Sequence, residues 1–581
     1  MSLYDEKQQI IHSGRILLAK NIAMKKWVLV VGILSCGCSL VHAQHDMDAI
    51  LRLTGSDGIE ELDADEIERL ADLMERPVRI NQASSSVLIA SGLFGHYRVV
   101  SLIDYITRHG DVMSLTELAG VDGFGEDFVS RVAPFISLEG GSLQQRPAWS
   151  DIRNDLAVKG AFRHKDQPPG DWSYGMKYRL QVGCITAAVS ASRSYDCTRA
   201  SPEYYSGSIA YDFEKLRTKV VAGDFHARFG QGLTLWSGAF MTSLNAPSAF
   251  MKKPSGITGT WSFTGSSALT GIASETAFDR LRIAALVAFP QIKDPRKPTE
   301  IMPVGNITWL ARSGHVGATY AGGKISSDAA FCLRGVNIFG EAAYDLAASN
   351  PALLCGTEFS ASERLRLAGL LRYIPDDIYG AAFSGEFKTS GQGSTGTFSI
   401  DAICYPMGKG GEDSHSMQVK SLLNWDVSLA EGVRLKVRLS ERLRSWGYRF
   451  RTDLRADLSY ESGAFYSAFR ANGLHCAGLA FVGYAEQGLR AQKVTMYLRQ
   501  GVFFVDDWED RIYVYERDAP GSFNVPAMYG RGWMASLVLS ARLSRSRKCY
   551  FRLSRTSYSF MPEEKRKPGK TELKLQYVFR F

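Results

Sequence analysis

Residues 433–460 alternate with a period of two. Val433, Leu435, Val437 and Leu439 stand against Arg434, Lys436, Arg438 and Ser440. Phe450, Thr452, Leu454, Ala456, Leu458 and Tyr460 then stand against Arg451, Asp453, Arg455, Asp457 and Ser459. Successive side chains of a strand point to opposite faces, so each segment has one apolar face and one charged face. Leu281, Ile283, Ala285, Val287 and Phe289 repeat the pattern behind Arg280 and Arg282. In Thr571–Phe581 the positions Leu573, Leu575, Tyr577, Phe579 and Phe581 are apolar or aromatic, and Glu572, Lys574, Gln576 and Arg580 are polar. A soluble sandwich would have to hold such charged faces in open water on strand after strand. A closed barrel in a bilayer turns the apolar face to lipid and the charged face to its lumen. About 9–11 residues is also the span of a tilted membrane strand.

The pattern fills residues 151–581, predicting a large antiparallel transmembrane β-barrel. An allowance of about 25–30 residues per strand and loop gives about 14–18 strands. The 55 glycines and 11% aromatics suit a turn-rich barrel with aromatic girdles. The final Tyr577, Phe579 and Phe581 resemble the C-terminal membrane-insertion signal of Gram-negative outer-membrane barrels. That resemblance implies outer-membrane lipid and the barrel-assembly machinery as partners.

The N-terminus reads as a signal peptide over residues 1–43. Met24-Lys25-Lys26 is the basic start, Trp27 to Leu40 the apolar run, and Val41-His42-Ala43 the cleavage site. Met24 is the expected initiator, and residues 1–23 an upstream extension. Cys36 lies too early in the apolar run for a lipoprotein. Of the later cysteines, only Cys184 and Cys197 are close enough in sequence to bridge.

Residues 45–138 change to a helical texture and predict a small all-α domain. Leu62 to Met74 places Leu62, Ile67, Leu70 and Leu73 on one face and acids on the other. Asn81-Gln82-Ala83-Ser84 caps a helix from Ser85 to about Ala90. A second helix runs from Tyr97 to Thr107, a third is capped by Ser114 with Glu117, and a last one runs from Gly123-Phe124-Gly125 through Val132. Residues 139–150 (EGGSLQQRPAWS) form a linker.

Within 79–136 the run INQASSSVL … GLFGHYRVVSLIDYITRHGDVMSLTELAGVDGFGEDFVSRV resembles the tandem helix-hairpin-helix domain of ComEA-type competence proteins. The whole chain resembles Bacteroidetes-type exported proteins that carry this domain. The resemblance implies DNA-backbone contacts at Gly95, His96 and Arg98 in the first hairpin and at Gly123, Phe124 and Gly125 in the second, through main-chain N–H groups. Two departures matter. Leu93 replaces the leading glycine of the first hairpin, and Asp122, Glu126 and Asp127 surround the second.

Charge sorts the functions. Residues 45–140 carry seven arginines, no lysine and eighteen carboxylates, a net −11, while 141–581 carry a net +16. A −11 module has little of the cationic surface that drives DNA affinity. It suits an acidic periplasmic domain that docks on, or plugs, the mouth of a basic lumen. The expected function is therefore an outer-membrane channel or transport component, with the helical domain as plug or docking adaptor to a periplasmic or envelope protein. The alternatives are a DNA-uptake component and a closed-barrel scaffold. Neither G-x-S-x-G nor H-E-x-x-H occurs, so no enzyme is predicted, and no cofactor or metal site. Two further stretches stand out. Gly223-Asp224-Phe225 … Phe229-Gly230-Gln231-Gly232-Leu233 reads as a bend or inward loop, and Asp506-Asp507-Trp508-Glu509-Asp510-Arg511 with Glu516 and Asp518 as a long loop whose carboxylates either lock against luminal arginines or hold Ca²⁺, though their spacing fits no EF-hand.

Overall fold

A computed structural model describes residues 45–581 except 141–151, 167–169, 214–215, 239–243, 264–266, 292–298, 376, 390–392 and 411–414. The expected signal peptide, Met24 and most of the linker lie outside the described residues. Among those residues, twenty-four antiparallel strands close into one barrel, from Ile152–Lys165 to Lys570–Arg580. Those two strands pair with each other, Arg580 opposite Asp155, and so shut the ring. A further short strand, Gly256–Gly259, pairs with the end of Thr218–Arg228.

The alternation settles which face each residue takes. Leu439, Leu454 and Leu575 are exposed on the outside, at 41%, 53% and 52%, whereas Arg455 and Gln576 are buried at 5% and 2%. An outer wall of exposed aliphatic and aromatic side chains around a charged interior is what a lipid-facing barrel presents.

The barrel has more strands than the 14–18 expected because its connections are short. Asp279-Arg280, Arg312-Ser313, Gly322-Gly323 and Arg334-Gly335 each turn a hairpin in two residues. Strand plus connection therefore averages fewer than 25 residues. At the end of the wall holding Ile152 and Arg580 the turns are short. The opposite end carries the long loops 229–268 and 506–529.

Six helices precede the barrel among the described residues: α1 His45–Thr54, α2 Ala64–Glu75, α3 Ser85–Ala90, α4 His96–His109, α5 Leu115–Ala119 and α6 Gly125–Val132. α1 is the one the sequence pattern did not mark. The two capping serines act as expected: Val87 N–H donates to Ser84 at 3.4 Å, and Glu117 N–H to Ser114 at 3.1 Å. Glu117 in turn accepts from the Met113 N–H at 2.8 Å. A parallel two-residue pair, β1 Val78–Arg79 with β2 Ile136–Ser137, ties the start of this hairpin region to its end. Asn81 fastens the same point. Its amide donates to the Val112 and Leu138 carbonyls and accepts from Val112 N–H. Ile50, Leu70, Leu88, Leu93, Phe94, Leu102, Val132 and Phe135 form one continuous core, which takes Leu310 from the barrel wall.

Candidate functional site

The helical unit sits inside the ring of strands, and the contact between them is ionic. α2 and the turn before it project acids outward in several directions. Glu60 pairs with Arg470 at 3.4 Å and Glu61 with Arg438 at 2.8 Å and Lys420 at 3.8 Å. Glu66 meets Arg228 at 3.3 Å, Glu68 meets Lys177, and Asp72 meets Arg179 at 3.1 Å. Glu75 bonds to Lys548 at 2.9 Å and to Arg580. On α6, Asp127 bonds to Arg366 and Lys388. Among the described residues, seven carboxylates of the helical unit thus engage inward-facing cations on nine strands. One contact has the reverse sign: Arg76, just after α2, bonds to Asp155.

Electrostatics follow from that geometry. Burial raises the Glu66 carboxyl, but Arg69 and Arg228 outweigh it and hold the group well below the usual carboxylate range. Asp127 behaves in the same way, its burial outweighed by Arg131, Arg366 and Lys388. Asp57 goes the other way. Burial and then the neighbouring Glu61 push it up to about 6, despite Arg438, Lys436 and Arg455. Its oxygen accepts from Asn424, and the Arg455 guanidinium donates to its carbonyl at 3.1 Å.

The two long stretches singled out in the sequence also turn inward. Glu341 receives the backbone N–H groups of Gln231, Leu233 and Thr234 at 2.7, 3.1 and 3.3 Å, which pins the Phe229–Thr234 segment to wall strand Val336–Asp345. Phe250 of the same loop packs with Phe339 and Leu370. In the second loop Asp510 accepts from Ala477 and Gly478 N–H, and Arg451 donates to the Glu509 and Arg511 carbonyls. Glu516 and Asp518 bond to Arg552 and Lys574 respectively. These carboxylates lock the loop. No group of three or more His, Cys, Asp or Glu side chains suited to a metal ion occurs among the described residues.

Neither Cys184 nor Cys197 is in a disulfide. Cys184 lies in a short turn and Cys197 in the loop at the other end of strand Ile185–Arg193, about 30 Å away at the rise of a strand. The expected bridge is geometrically excluded.

The six residues proposed for DNA contact fall in two places. Gly95 precedes α4, and His96 is buried against His315 of the wall, ring centroids 4.3 Å apart, with His315 bonded to Asp328 at 3.0 Å. His96 is thus turned to the barrel and closed to a nucleic-acid phosphate. Burial, then His315 and Arg282, hold its imidazole well below the usual range. Arg98 is committed within the unit, donating to the Gly123 carbonyl at 2.6 Å with its guanidinium 4.0 Å above the Phe128 ring. Gly123 (φ +81°) lies against the Tyr97 ring, where a Cβ would sit 2.5 Å from the ring carbon. Phe124 is a core residue, and Gly125 opens α6. Tyr577, Phe579 and Phe581 form a row of rings along the last strand, with centroids 6.4 and 4.5 Å apart.

What the sequence did not single out are the anchoring acids Glu60, Glu61, Glu66, Glu68, Asp72 and Glu75 as individual contacts. The signal was present as an acidic face on α2. Each partner lies more than a hundred residues away, on a strand whose position depends on the closed ring.

No protein-family model matches the chain, and no curated protein matches it. Solved structures do. The P pilus usher PapC translocation pore shares 10% identity at a TM-score of 0.38, covering 74% of this chain and 99% of the usher chain. The siderophore receptor PirA from Pseudomonas aeruginosa shares 7% at a TM-score of 0.38, covering 76% and 81%. OccK5 of the same species shares 10% at a TM-score of 0.27, covering 75% and 99%. None of these likenesses reaches a TM-score of 0.5.

Proposed function

We propose that the protein is an outer-membrane β-barrel channel or transport component whose lumen is occupied by its own N-terminal helical unit, acting as a plug. The observation that carries the reading is the set of seven carboxylates on the helical unit paired with inward cations on nine strands. A domain kept only to dock on a rim would need contacts along one arc. Contacts spread around the wall hold a body across the bore. The unit would face the periplasm at the short-turn end, where its hairpins leave Asp122, Glu126 and Met113 exposed as an adaptor surface for an envelope partner. Tyr577, Phe579 and Phe581 would serve as the insertion signal read by the barrel-assembly machinery, with lipid against the outer wall.

DNA uptake through a helix-hairpin-helix receiver is the weaker reading. At the N-terminus of α6, where the family resemblance would put a DNA phosphate, Asp127 already meets Arg366 and Lys388. A DNA phosphate would have to displace a carboxylate of the protein itself.

Planar-bilayer recording on the full chain tests the plug. The Glu61→Lys/Glu68→Lys/Glu75→Lys variant sets lysines against wall cations and is expected to raise single-channel conductance several-fold over wild type. Unchanged conductance would overturn the plug reading and leave the closed scaffold.

A further inference from the structure

The helical unit does not fill the bore. A cavity of about 820 Å³ remains between α1 and α2 on one side and the wall strands and loop 515–523 on the other. Its lining reaches both ends of the barrel. Gln492, Lys493 and Arg542 belong to the short-turn end, whereas Ser194, Tyr195 and Phe523 belong to the long-loop end. A space of this size matches a small organic molecule.

The lining has a sign. Seven lysine and arginine side chains border it, against Glu68, Glu75 and Asp518, and four of the seven, Arg193, Arg517, Lys548 and Lys574, already have carboxylate partners. Each of those three carboxylates is already neutralised, by Lys177, by Lys548 and Arg580, and by Lys574 respectively. Lys159 projects from the first strand with its ammonium 3.8 Å above the Phe263 ring, and no carboxylate of the described residues lies within ion-pair distance of it. Lys493 is exposed at the short-turn mouth, beside Arg542. Tyr174, Tyr497 and Tyr550 on the wall and Ile50, Ile67 and Met74 on the helices supply flat and apolar surface. A half-buried cation with no carboxylate at ion-pair distance favours an anion from outside, and the tyrosines favour a ring attached to it.

We propose that this cavity is a passage for small ring-bearing organic anions that runs beside the plug while the plug stays seated. The proposal rests on the plug reading and names the cargo class of that same lumen. Lys493 and Arg542 draw an anion to the short-turn mouth, Lys159 holds it partway, and the long-loop mouth releases it.

The test uses the full chain in a planar bilayer under a potassium chloride gradient, with benzoate as the organic probe and benzamide as its neutral counterpart. Wild type is expected to show a small conductance with an anion-selective reversal potential, blocked by millimolar benzoate but not by benzamide. Lys159→Gln is expected to weaken the benzoate block about tenfold. Lys493→Glu, a change at an exposed turn, is expected to shift the reversal potential toward cation selectivity without the large rise produced by the triple reversal at Glu61, Glu68 and Glu75. A silent wild type alongside a conducting triple reversal would sink the passage and leave the plug intact. Equal block by benzamide, or a block indifferent to Lys159→Gln, would also overturn it. If the triple reversal leaves conductance at the wild-type level, the plug reading itself falls, whatever benzoate does.

Discussion

Glu75, the last residue of α2, accepts a hydrogen bond from Arg580, 505 positions further along the chain. An acid at a helix C-terminus opposes the helix macrodipole at a cost of about 0.3–1 kcal/mol. α2 has no basic residue in its last turn to offset this. The placement makes sense only for the wall, where Arg580 and Lys548 converge on the same carboxylate. Glu75→Gln should therefore weaken seating of the plug by about 1–3 kcal/mol, because it removes the carboxylate shared by two half-buried cations. The helical signal at 222 nm of the full chain should lose part of its amplitude at a lower temperature than in wild type. A melt superimposable on wild type would contradict it.

Glu341 supports the inward loop through three backbone N–H groups and is itself buried. Glu341→Ala orphans all three donors at once, a loss on the order of 2–3 kcal/mol at that site. Limited proteolysis of the full chain should then cut within 229–255 well before wild type is cut. Identical cleavage kinetics would show that the apolar contacts of Phe250 suffice.

Asp57 yields a pH dependence of definite sign. Its folded pKa of about 6 lies above the ordinary 3.8, so the folded state holds the proton more tightly. Stability from this group is present below about pH 4 and falls as the pH rises through 6. Asp57→Asn keeps an acceptor for Asn424 and removes the charge. It should stabilise the plug at pH 7.5 by on the order of 2 kcal/mol and change little at pH 4. Thermal melts of both proteins at the two pH values decide it, and an equal shift at both would refute the titration.

The same geometry predicts what DNA will not do. Glu126 is exposed in the first turn of α6. Its replacement by lysine removes one of the acids around the second hairpin but leaves Asp127 held by the wall. Retention of double-stranded DNA by the full chain should change no more than about twofold between wild type and Glu126→Lys at low salt. A tenfold gain would revive the hairpins as a DNA-binding element.

Much of this was legible in the sequence. Strict alternation around Arg438 and Arg455 marked lumen and lipid faces, because period two admits one geometry. The caps at Ser84 and Ser114 and the turn at Gly123 located three of the six helices within a few residues, and apolar spacing marked α2 and α4. The opposed net charges of the two regions already suggested that the acidic one docks on the basic one. The number of strands was not legible, since two-residue turns such as Asp279-Arg280 carry no Gly-rich or Asn-Gly signal. The pairing of Glu61 with Arg438, or Asp72 with Arg179, was hidden for a different reason: local patterns cannot say which strand lies across a closed ring. His96 shows the same limit, since nothing nearby in sequence announces that it packs on His315.

Glu75, which ends α2, and Arg76, which follows it, bond to the two strands that meet where the ring closes. Arg76 holds Asp155 of the first strand and Glu75 holds Arg580 of the last, and Asp155 and Arg580 lie opposite each other across that junction. The helix end is therefore a staple over the seam of the cylinder. Parting the first and last strands would tear the staple, and withdrawing the helix would leave the seam held by its backbone ladder and the longer Arg580–Asp155 contact of 3.5 Å. Whatever unseats the helices also removes the ionic clamp across the junction of the first and last strands.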